Sequence, residues 1–520
     1  MFEHDRDRWM TIADALAPTV HRNTFRARRV VTPVADPSVY QGWRLEHAGN
    51  PCPIRITQTP VIVDFGTHLV GEARFRFSPD SGRVLARFGE APAEVCDDPA
   101  QHPGSLGGQW HSPVLLQPDI DGWATVPDRR ALRYARLWVE QKGKPAEHAT
   151  LEAAEVIAQT TAAWDDLPLP DTAEPWQRDL DRVALHTLRN CMHDVFEDGP
   201  KRDRRLWLGD LYLQAKASYL TFGRHDLVKR CLYLFAATSC KRGLVSPCVF
   251  ARPRWHGSHK LIPSYAWLFA PCLLDYTQAT GDTDTAADLF DIAHHQHTLF
   301  DAYEDPGGLF EPPDDELWRF IDWNDQLVPQ AAEQAIAIYS LNALIVLAPI
   351  AGRSALVPQL ATRCDALADA ARQQLFNPRR GVFDSSRAGQ TAWATQAWMV
   401  LAGVVTPTEA RNLLLRTLET EDALPPITPY MQHYVIEAMF RAGLDRQAWQ
   451  RLRRFWGDMI RHGADTFWEV YDPADPKRSP YQSHLHNSYC HAWSCTPSYF
   501  IRSRLRNPEH ALQTQADSSH

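Results

Sequence analysis

The sequence predicts two folds in series, an N-terminal antiparallel β-sandwich followed by an (α/α)6 toroid of six helical hairpins. Three observations carry this. A chain of 520 residues is too long for one compact core. Residues 1–165 fall into short β-rich segments divided by Pro, Gly and Asp. After the proline-punctuated stretch Asp165-Asp166-Leu167-Pro168-Leu169-Pro170-Asp171, apolar residues recur at helical spacing through 166–506. The polar remainder, 507–520, is expected to be a disordered tail.

In the first region strands are expected at 24–34, 43–47, 54–64, 71–77, 83–88, 131–140 and 151–158. The clearest alternation sets Glu72, Arg74 and Arg76 on one face and Ala73, Phe75 and Phe77 on the other. Seven short strands and no long amphipathic helix specify a sandwich. In the second region twelve helices are expected, at about 174–196, 206–222, 225–241, 263–280, 284–303, 328–349, 352–375, 389–403, 407–419, 429–442, 445–462 and 488–504. Breaks such as Gly223, Gly281-Asp282 and Gly443 divide them, and twelve helices pair into six hairpins.

Composition narrows the function classes. The net charge is −9 with the basic residues scattered, so neither nucleic acid nor an anionic membrane surface is an expected partner. The sequence is read as having no run approaching the roughly 18 apolar residues that span a bilayer. Residues 1–9 show no apolar signal-peptide core. Ten cysteines form no CxxC pair, and several fall in apolar helical runs, which predicts reduced thiols and a cytoplasmic protein. The 22 histidines lack paired ligand spacing, so no metal is expected.

The chemistry concentrates at Glu197-Asp198-Gly199-Pro200-Lys201-Arg202-Asp203-Arg204-Arg205-Leu206-Trp207-Leu208-Gly209-Asp210. Asp198 and Asp203 are expected on a loop and Asp210 in the first turn of the following helix, where the helix dipole favours a carboxylate. If the chain is helical from Asp203 on, Asp203 and Asp210 share a face. Carboxylates so placed can accept hydrogen bonds from sugar hydroxyls or trade protons, with Arg202 and Arg204 holding one of them ionised. A charge-rich solvated turn is the other reading, and the interleaved Trp207 and Gly209 speak against it.

Twelve of the 18 tryptophans follow the linker. Most read as core, but Arg254-Trp255-His256, Asp315-Glu316-Leu317-Trp318-Arg319 and Ile321-Asp322-Trp323-Asn324-Asp325 are polar and loop-like. An aromatic face beside a carboxylate suits a pyranose ring, so Trp255, Asp322 and Trp323 are sugar-binding candidates. A second acidic candidate, Glu469, lies in Asp465-Thr466-Phe467-Trp468-Glu469-Val470-Tyr471-Asp472, and burial among aromatics would demand a partner or a function for it. In Ser483-His484-Leu485-His486-Asn487-Ser488-Tyr489-Cys490-His491, Asn487 or Ser488 would cap the last helix and put His491 near its first turn.

The run from Asp198 to Asp210 resembles the signature of the family 78 glycoside hydrolases, the α-L-rhamnosidases. Phe320-Ile321-Asp322-Trp323, Thr466-Phe467-Trp468-Glu469 and Cys490-His491-Ala492-Trp493-Ser494 are similar to that family's later motifs. Val63-Asp64-Phe65-Gly66, Gly71-Glu72-Ala73-Arg74-Phe75 and Phe88-Gly89-Glu90-Ala91 are similar to its β-sandwich. The resemblance implies Asp203 as general acid, Glu469 as general base, and Asp198, Arg202, Trp207, Asp210, Asp322, Trp323 and His491 as ring contacts. It differs from the family pattern in carrying Asp203 where Glu is common and Arg204 where many relatives are acidic. It also stops soon after the last helix, which favours a small soluble rhamnosylated glycoside or oligosaccharide as partner. The implied chemistry is inverting hydrolysis of a terminal α-L-rhamnoside with no cofactor. A homodimer is compatible with it. Three alternatives stay open at this point: a rhamnosyl-glucuronate lyase, another (α/α)6 glycosidase, and a non-catalytic sugar-binding protein.

Overall fold

The computed structural model describes residues 2–140, 148–313, 316–385 and 389–506; the expected tail at 507–520 and Asp315 lie outside the described residues. An antiparallel sheet domain precedes a helical one. The strands are β1 His21–Arg26, β2 Arg29–Ala35, β3 Trp43–Gly49, β4 Ile54–Ile56, β5 Val61–Phe77, β6 Val84–Gly89, β7 Val114–Leu116, β8 Trp123–Thr125, β9 Arg130–Val139 and β10 Ala149–Thr160. They form one hydrogen-bonded network with the path β1-β10-β5-β9-β6-β7. Val63, Phe65, Leu69, Ala73, Phe75 and Phe77, all on one face of β5, bury into a core shared with β6, β9 and β10. The exposed Glu72 and Arg76 alternate with them, as the period-two pattern requires.

Two expected strand boundaries move for identifiable reasons. The segment 24–34 divides because the chain changes partner: β1 pairs with β10, and β2 pairs with β5 and β3. The segment 54–64 divides into β4, which pairs with β10, and the start of β5, which runs on through 71–77 with a register shift between Asp64 and Leu69. Inside that bulge Gly66 takes φ +81° and donates its N–H to Asp64 Oδ1 at 2.7 Å. The bulge matters later, since it presents His68 to the helical domain.

A helix precedes the sheet, in a region where no long amphipathic helix is expected: α1, Glu3–Ala15. Its Trp9 and Ala13 are buried in the helical domain's core, not in the sheet's. A short α2, Pro92–Cys96, follows β6.

Every one of the twelve expected helices is present in the second domain. They are α3 Pro175–Asn190, α4 Leu208–Leu220, α5 His225–Ala237, α6 Pro263–Thr280, α7 Thr283–His295 with its short extension α8 Thr298–Asp301, α9 Gln330–Ile350, α10 Val357–Leu375, α11 Trp393–Leu401, α12 Pro407–Glu419, α13 Pro429–Arg441, α14 Asp445–Arg461 and α15 Pro497–Arg506. α4, α6, α9, α11 and α13 pack in succession, and α15 returns to α4 and α3. α3, α5, α7, α10, α12 and α14 lie outside them. The chemistry of the two rings differs. Outer α12 and α14 bury one stripe each, such as Ala448, Leu452, Trp456 and Met459, while inner α4 buries residues all round.

That distinction corrects one reading of the sequence. Helix α9 is long and apolar enough, by composition, to cross a membrane, but 78% of its apolar window is buried inside the protein. An inner-ring helix surrounded by other helices has no polar face to keep.

The last expected helix, 488–504, begins later, at Pro497. Residues 484–486 and 492–494 form isolated 3-10 turns, and His491 between them is extended, with φ −134°. The 483–494 segment is held by long-range hydrogen bonds, including Glu469 N–H to the Ser488 carbonyl and Ala492 N–H to the Asp198 carbonyl, which a helix could not make.

Candidate active site

The segment after α3 leaves the helical path. Arg204 adopts φ +52°, and a two-residue strand β11, Leu206–Trp207, pairs with β12, Cys248–Phe250, which pairs with β13, His256–Gly257. Asp203 and Asp210 therefore do not share a helical face. They meet because the loop folds back on itself: Arg205 N–H donates to Asp198 Oδ1 at 3.0 Å, and Asp198 N–H to the Arg205 carbonyl at 3.0 Å. Asp210 lies in the first turn of α4, as its position predicts. Gly209 beside it is obligatory in another sense, since a Cβ there would lie 2.4 Å from the Tyr265 ring.

These turns converge on one pocket of about 240 Å³. Its walls hold Asp198, Arg202, Asp203, Trp207, Asp210, Trp323, Glu469 and His491. Residues from opposite ends of the helical domain thus meet there, separated in sequence by 267 positions in the case of Arg202 and Glu469. Exposure divides the pocket into floor and rim. Asp198, Asp210, Glu469 and His491 are buried, while Asp203, Trp207, Trp323, Tyr481 and Leu106 are partly exposed.

Glu469 is fixed on the floor. Arg202 Nη2 donates to its Oε2 at 2.8 Å, Ser488 N–H donates to the same oxygen at 2.9 Å, and the Tyr481 hydroxyl donates to Oε1. Burial alone would raise its pKa; Arg202, His491 and these donors overcome that and hold it below the ordinary glutamate value. Glu469 is accordingly a carboxylate at neutral pH. The other terminal nitrogen of the same guanidinium, Arg202 Nη1, stands 3.2 Å from Asp203 Oδ1. One arginine spaces the two carboxyl groups. Asp203 is also 3.8 Å from Arg205 Nη1, and its side chain is 23% exposed, so it stands at the rim between two guanidinium groups.

Burial acts elsewhere. Asp198 is pushed well above the usual aspartate range by desolvation and then by the neighbouring Asp203, and Asp210 by desolvation, Asp198 and Glu469. His491, its ring 4.3 Å from the Trp493 ring and tilted against it by 38°, is pushed down to about 4 by burial, against the pull of Glu469. Asp210 Oδ1 and His491 Nδ1 face each other at 3.5 Å, and both are buried without a hydrogen-bond partner. Buried donors and acceptors left unmet on the floor are what sugar hydroxyls can satisfy.

Two expected ring contacts are placed differently. Asp322 lines a neighbouring cavity of about 200 Å³, with its carboxylate turned to the chain: it accepts from Ile427 N–H at 2.8 Å and Thr428 N–H at 3.1 Å, and from the Thr428 hydroxyl and Trp323 N–H. It fixes the start of α13 and the backbone of Trp323. Its pKa is raised to about 6 by burial, against these hydrogen bonds. Trp255 is outside the pocket wall and packs under the Arg230 guanidinium at 5.3 Å. Its polar neighbours in the sequence belong to the turn between β12 and β13.

The pocket also contains side chains beyond those named as catalytic or sugar-binding candidates. Tyr481 lies under Arg202 at 4.2 Å and edge-on to Trp323 at 5.8 Å. Tyr265, Trp318, Phe320 and Trp493 complete the aromatic wall. Leu106 comes from the sheet domain, on a loop seated against the other domain: Ser105 N–H donates to the Tyr481 carbonyl at 2.9 Å, and His111 contacts the Leu485 carbonyl at 2.6 Å. Gly104 in that loop has no room for a Cβ, which would lie 2.3 Å from His486. The glycines around Leu106 were the available signal. Among the described residues no cluster of three His, Cys, Asp or Glu groups could hold a metal ion.

Comparison with known proteins bears on both domains. Residues 171–505 match the bacterial alpha-L-rhamnosidase six-hairpin glycosidase domain, and residues 27–146 match the glycosyl hydrolase family 78 alpha-rhamnosidase N-terminal domain. A rhamnosidase from Klebsiella oxytoca with rhamnose bound is similar over 96% of this chain and 98% of its own, at 38% identity and a TM-score of 0.90. A family 78 rhamnosidase of Bacillus sp. GL1 is similar at 22% identity and a TM-score of 0.71, over 85% of this chain and 46% of its own. The Streptomyces avermitilis alpha-L-rhamnosidase complexed with L-rhamnose follows at 18% identity and a TM-score of 0.68, over 94% of this chain and 44% of its own. The chain thus spans under half the length of these last two, and their likeness is one of fold. No curated protein matches the chain.

Proposed function

The chain belongs to glycoside hydrolase family 78, the α-L-rhamnosidases, and from that premise we propose that it releases terminal α-L-rhamnose from small glycosides by single displacement with inversion. The observation that carries the proposal is Arg202 standing between Asp203 on the rim and Glu469 on the floor.

Hydrolysis with inversion needs a carboxylate that activates water on one face of the ring and an acid that protonates the departing oxygen on the other. Glu469, ionised and rigidly held, has the properties of the base. Asp203, at the partly exposed rim where a leaving group must depart, has the position of the acid. Two carboxyl groups on two nitrogens of one guanidinium are kept from direct contact, which an intervening water molecule requires. Asp198, Asp210 and His491 would orient the ring through its hydroxyls, and Trp207 and Trp323 would pack against its C–H faces.

The pocket volume suits one pyranose ring, which supports removal of a terminal residue from a small soluble glycoside. All ten cysteines are free, which supports a reducing, cytoplasmic setting. Proton NMR of the first-formed sugar, recorded before mutarotation, tests the mechanism: β-L-rhamnose is expected. First-formed α-L-rhamnose, or a glycosyl group trapped on Glu469, overturns it.

A further inference from the structure

Beyond the pocket, the domain boundary holds a buried cluster of charged side chains that the proposed chemistry does not use. Lys201, two residues before Asp203, turns away from the pocket with its side chain 5% exposed. Its ammonium donates to Glu94 Oε1 and to the Asn487 carbonyl, is 3.5 Å from Glu90 Oε2, and lies 5.2 Å from the Tyr489 ring. Glu94 and Glu90 belong to the sheet domain, at α2 and just before it, and both side chains are fully buried.

Each of these carboxylates is itself fixed. Glu94 Oε2 accepts from the N–H groups of Glu90 and Ala91 at 2.6 and 3.1 Å. Glu90 Oε1 is 3.0 Å from His68 Nε2, and His68 is held on the β5 bulge by its N–H to Asp465 Oδ2 at 2.6 Å. Glu90 Oε2 accepts from Tyr489 N–H at 2.7 Å. The preceding residue, Ser488, donates its own N–H to Glu469 Oε2 at 2.9 Å. Two sheet-domain carboxylates four residues apart thus reach both halves of the site. Glu94 reaches the Asp203 loop through Lys201, and Glu90 reaches the Glu469 side through the Tyr489 backbone.

We propose that Glu94 and Glu90 are positioning residues that set the Asp203–Glu469 spacing from the sheet domain, with Lys201 as the link to the acid loop. The proposal rests on the acid and base assignment above. Releasing Lys201 lets the acid loop drift while Glu469 keeps its own donors. The loss must therefore fall on protonation of the leaving group more than on water attack.

The test is leaving-group dependence in the full-length enzyme. Glu94→Gln keeps an oxygen for the Glu90 and Ala91 N–H groups but faces Lys201 with an amide. Its kcat is expected to fall roughly 10-fold or more on an unactivated rhamnosyl disaccharide and much less on 4-nitrophenyl α-L-rhamnoside, with inhibition by free L-rhamnose unchanged. Because Glu94→Gln could fail to fold with the buried Lys201 left only its longer contact to Glu90 as counter-charge, the charge-balanced Glu94→Gln/Lys201→Met double variant is measured beside it. It is expected to regain thermal stability and keep the same leaving-group bias. Equal losses on the two substrates, or a wild-type substrate ratio in the folded double variant, overturns the proposal. Asp203→Asn serves as reference. If it shows no leaving-group bias, the acid assignment itself fails; if it does and the Glu94 variants do not, only the positioning role fails.

Discussion

Asp203 and Glu469 bring the same functional group to one pocket and are held in opposite ways. Glu469 is 2% exposed, with three donors on its two oxygens, and the surrounding charge keeps it ionised. Asp203 is partly exposed on a loop, and its neighbours are the guanidinium groups of Arg202 and Arg205. The difference teaches what each role requires. A base that must hold a water against one face of the ring gains from complete preorganisation. An acid that must follow a departing oxygen needs access to the rim, so its position comes from the loop and from what anchors the loop.

The strongest way to break this comparison is to remove the proposed base. Glu469→Gln should lower kcat by roughly 10²–10⁴-fold on nitrophenyl and natural rhamnosides alike, since both need the water. Steady-state kinetics on the two substrates checks it, and a marked difference between them would reverse the roles. Asp203→Asn should show comparable loss on the unactivated glycoside and a small one on the nitrophenyl glycoside, whose leaving group needs no proton.

Tyr481→Phe sharpens the contrast without destroying either carboxylate. The hydroxyl helps keep Glu469 below the ordinary glutamate pKa, so its removal should move the acidic limb of the kcat/KM profile to higher pH and lower kcat by about 10-fold. An unmoved limb would detach Tyr481 from the base. Asp322→Ala should act on stability more than on chemistry. It strands the buried N–H groups of Ile427 and Thr428, at about 1–3 kcal/mol each, which a fall in Tm will report. Smallest of all, Trp255→Ala should leave kcat/KM unchanged, because its ring lies outside the pocket against Arg230.

Helix periodicity was legible because each helix of the toroid carries its signal locally; 263–280 and 407–419 match α6 and α12 residue for residue. What failed was what depends on partners far away in sequence. The division of 24–34 follows from β2 pairing with β5, and the late start of α15 from the bonds that hold Ser488 and Ala492 to other segments. In the site, carboxylates stood out as charges among aromatics. Asp322 shows the limit of that signal, since a carboxylate capping its own chain reads the same as one awaiting a ligand. Leu106 could not be found this way, because an aliphatic residue in a glycine-rich loop has no chemical signature until the other domain is placed against it.

Helix α1 has a bearing on synthesis. Its Ala13 carbonyl is held by Arg230 on α5, 217 residues later, and Trp9 and Arg8 both bond Asp288 on α7. At about 5–20 residues per second, the ribosome must run for on the order of 10–40 s before α5 emerges. Until then the first helix leaves the ribosome without its binding surface, with the Trp9 face open to water or to a chaperone. Docking of this helix thus waits on segments made more than 200 residues after it.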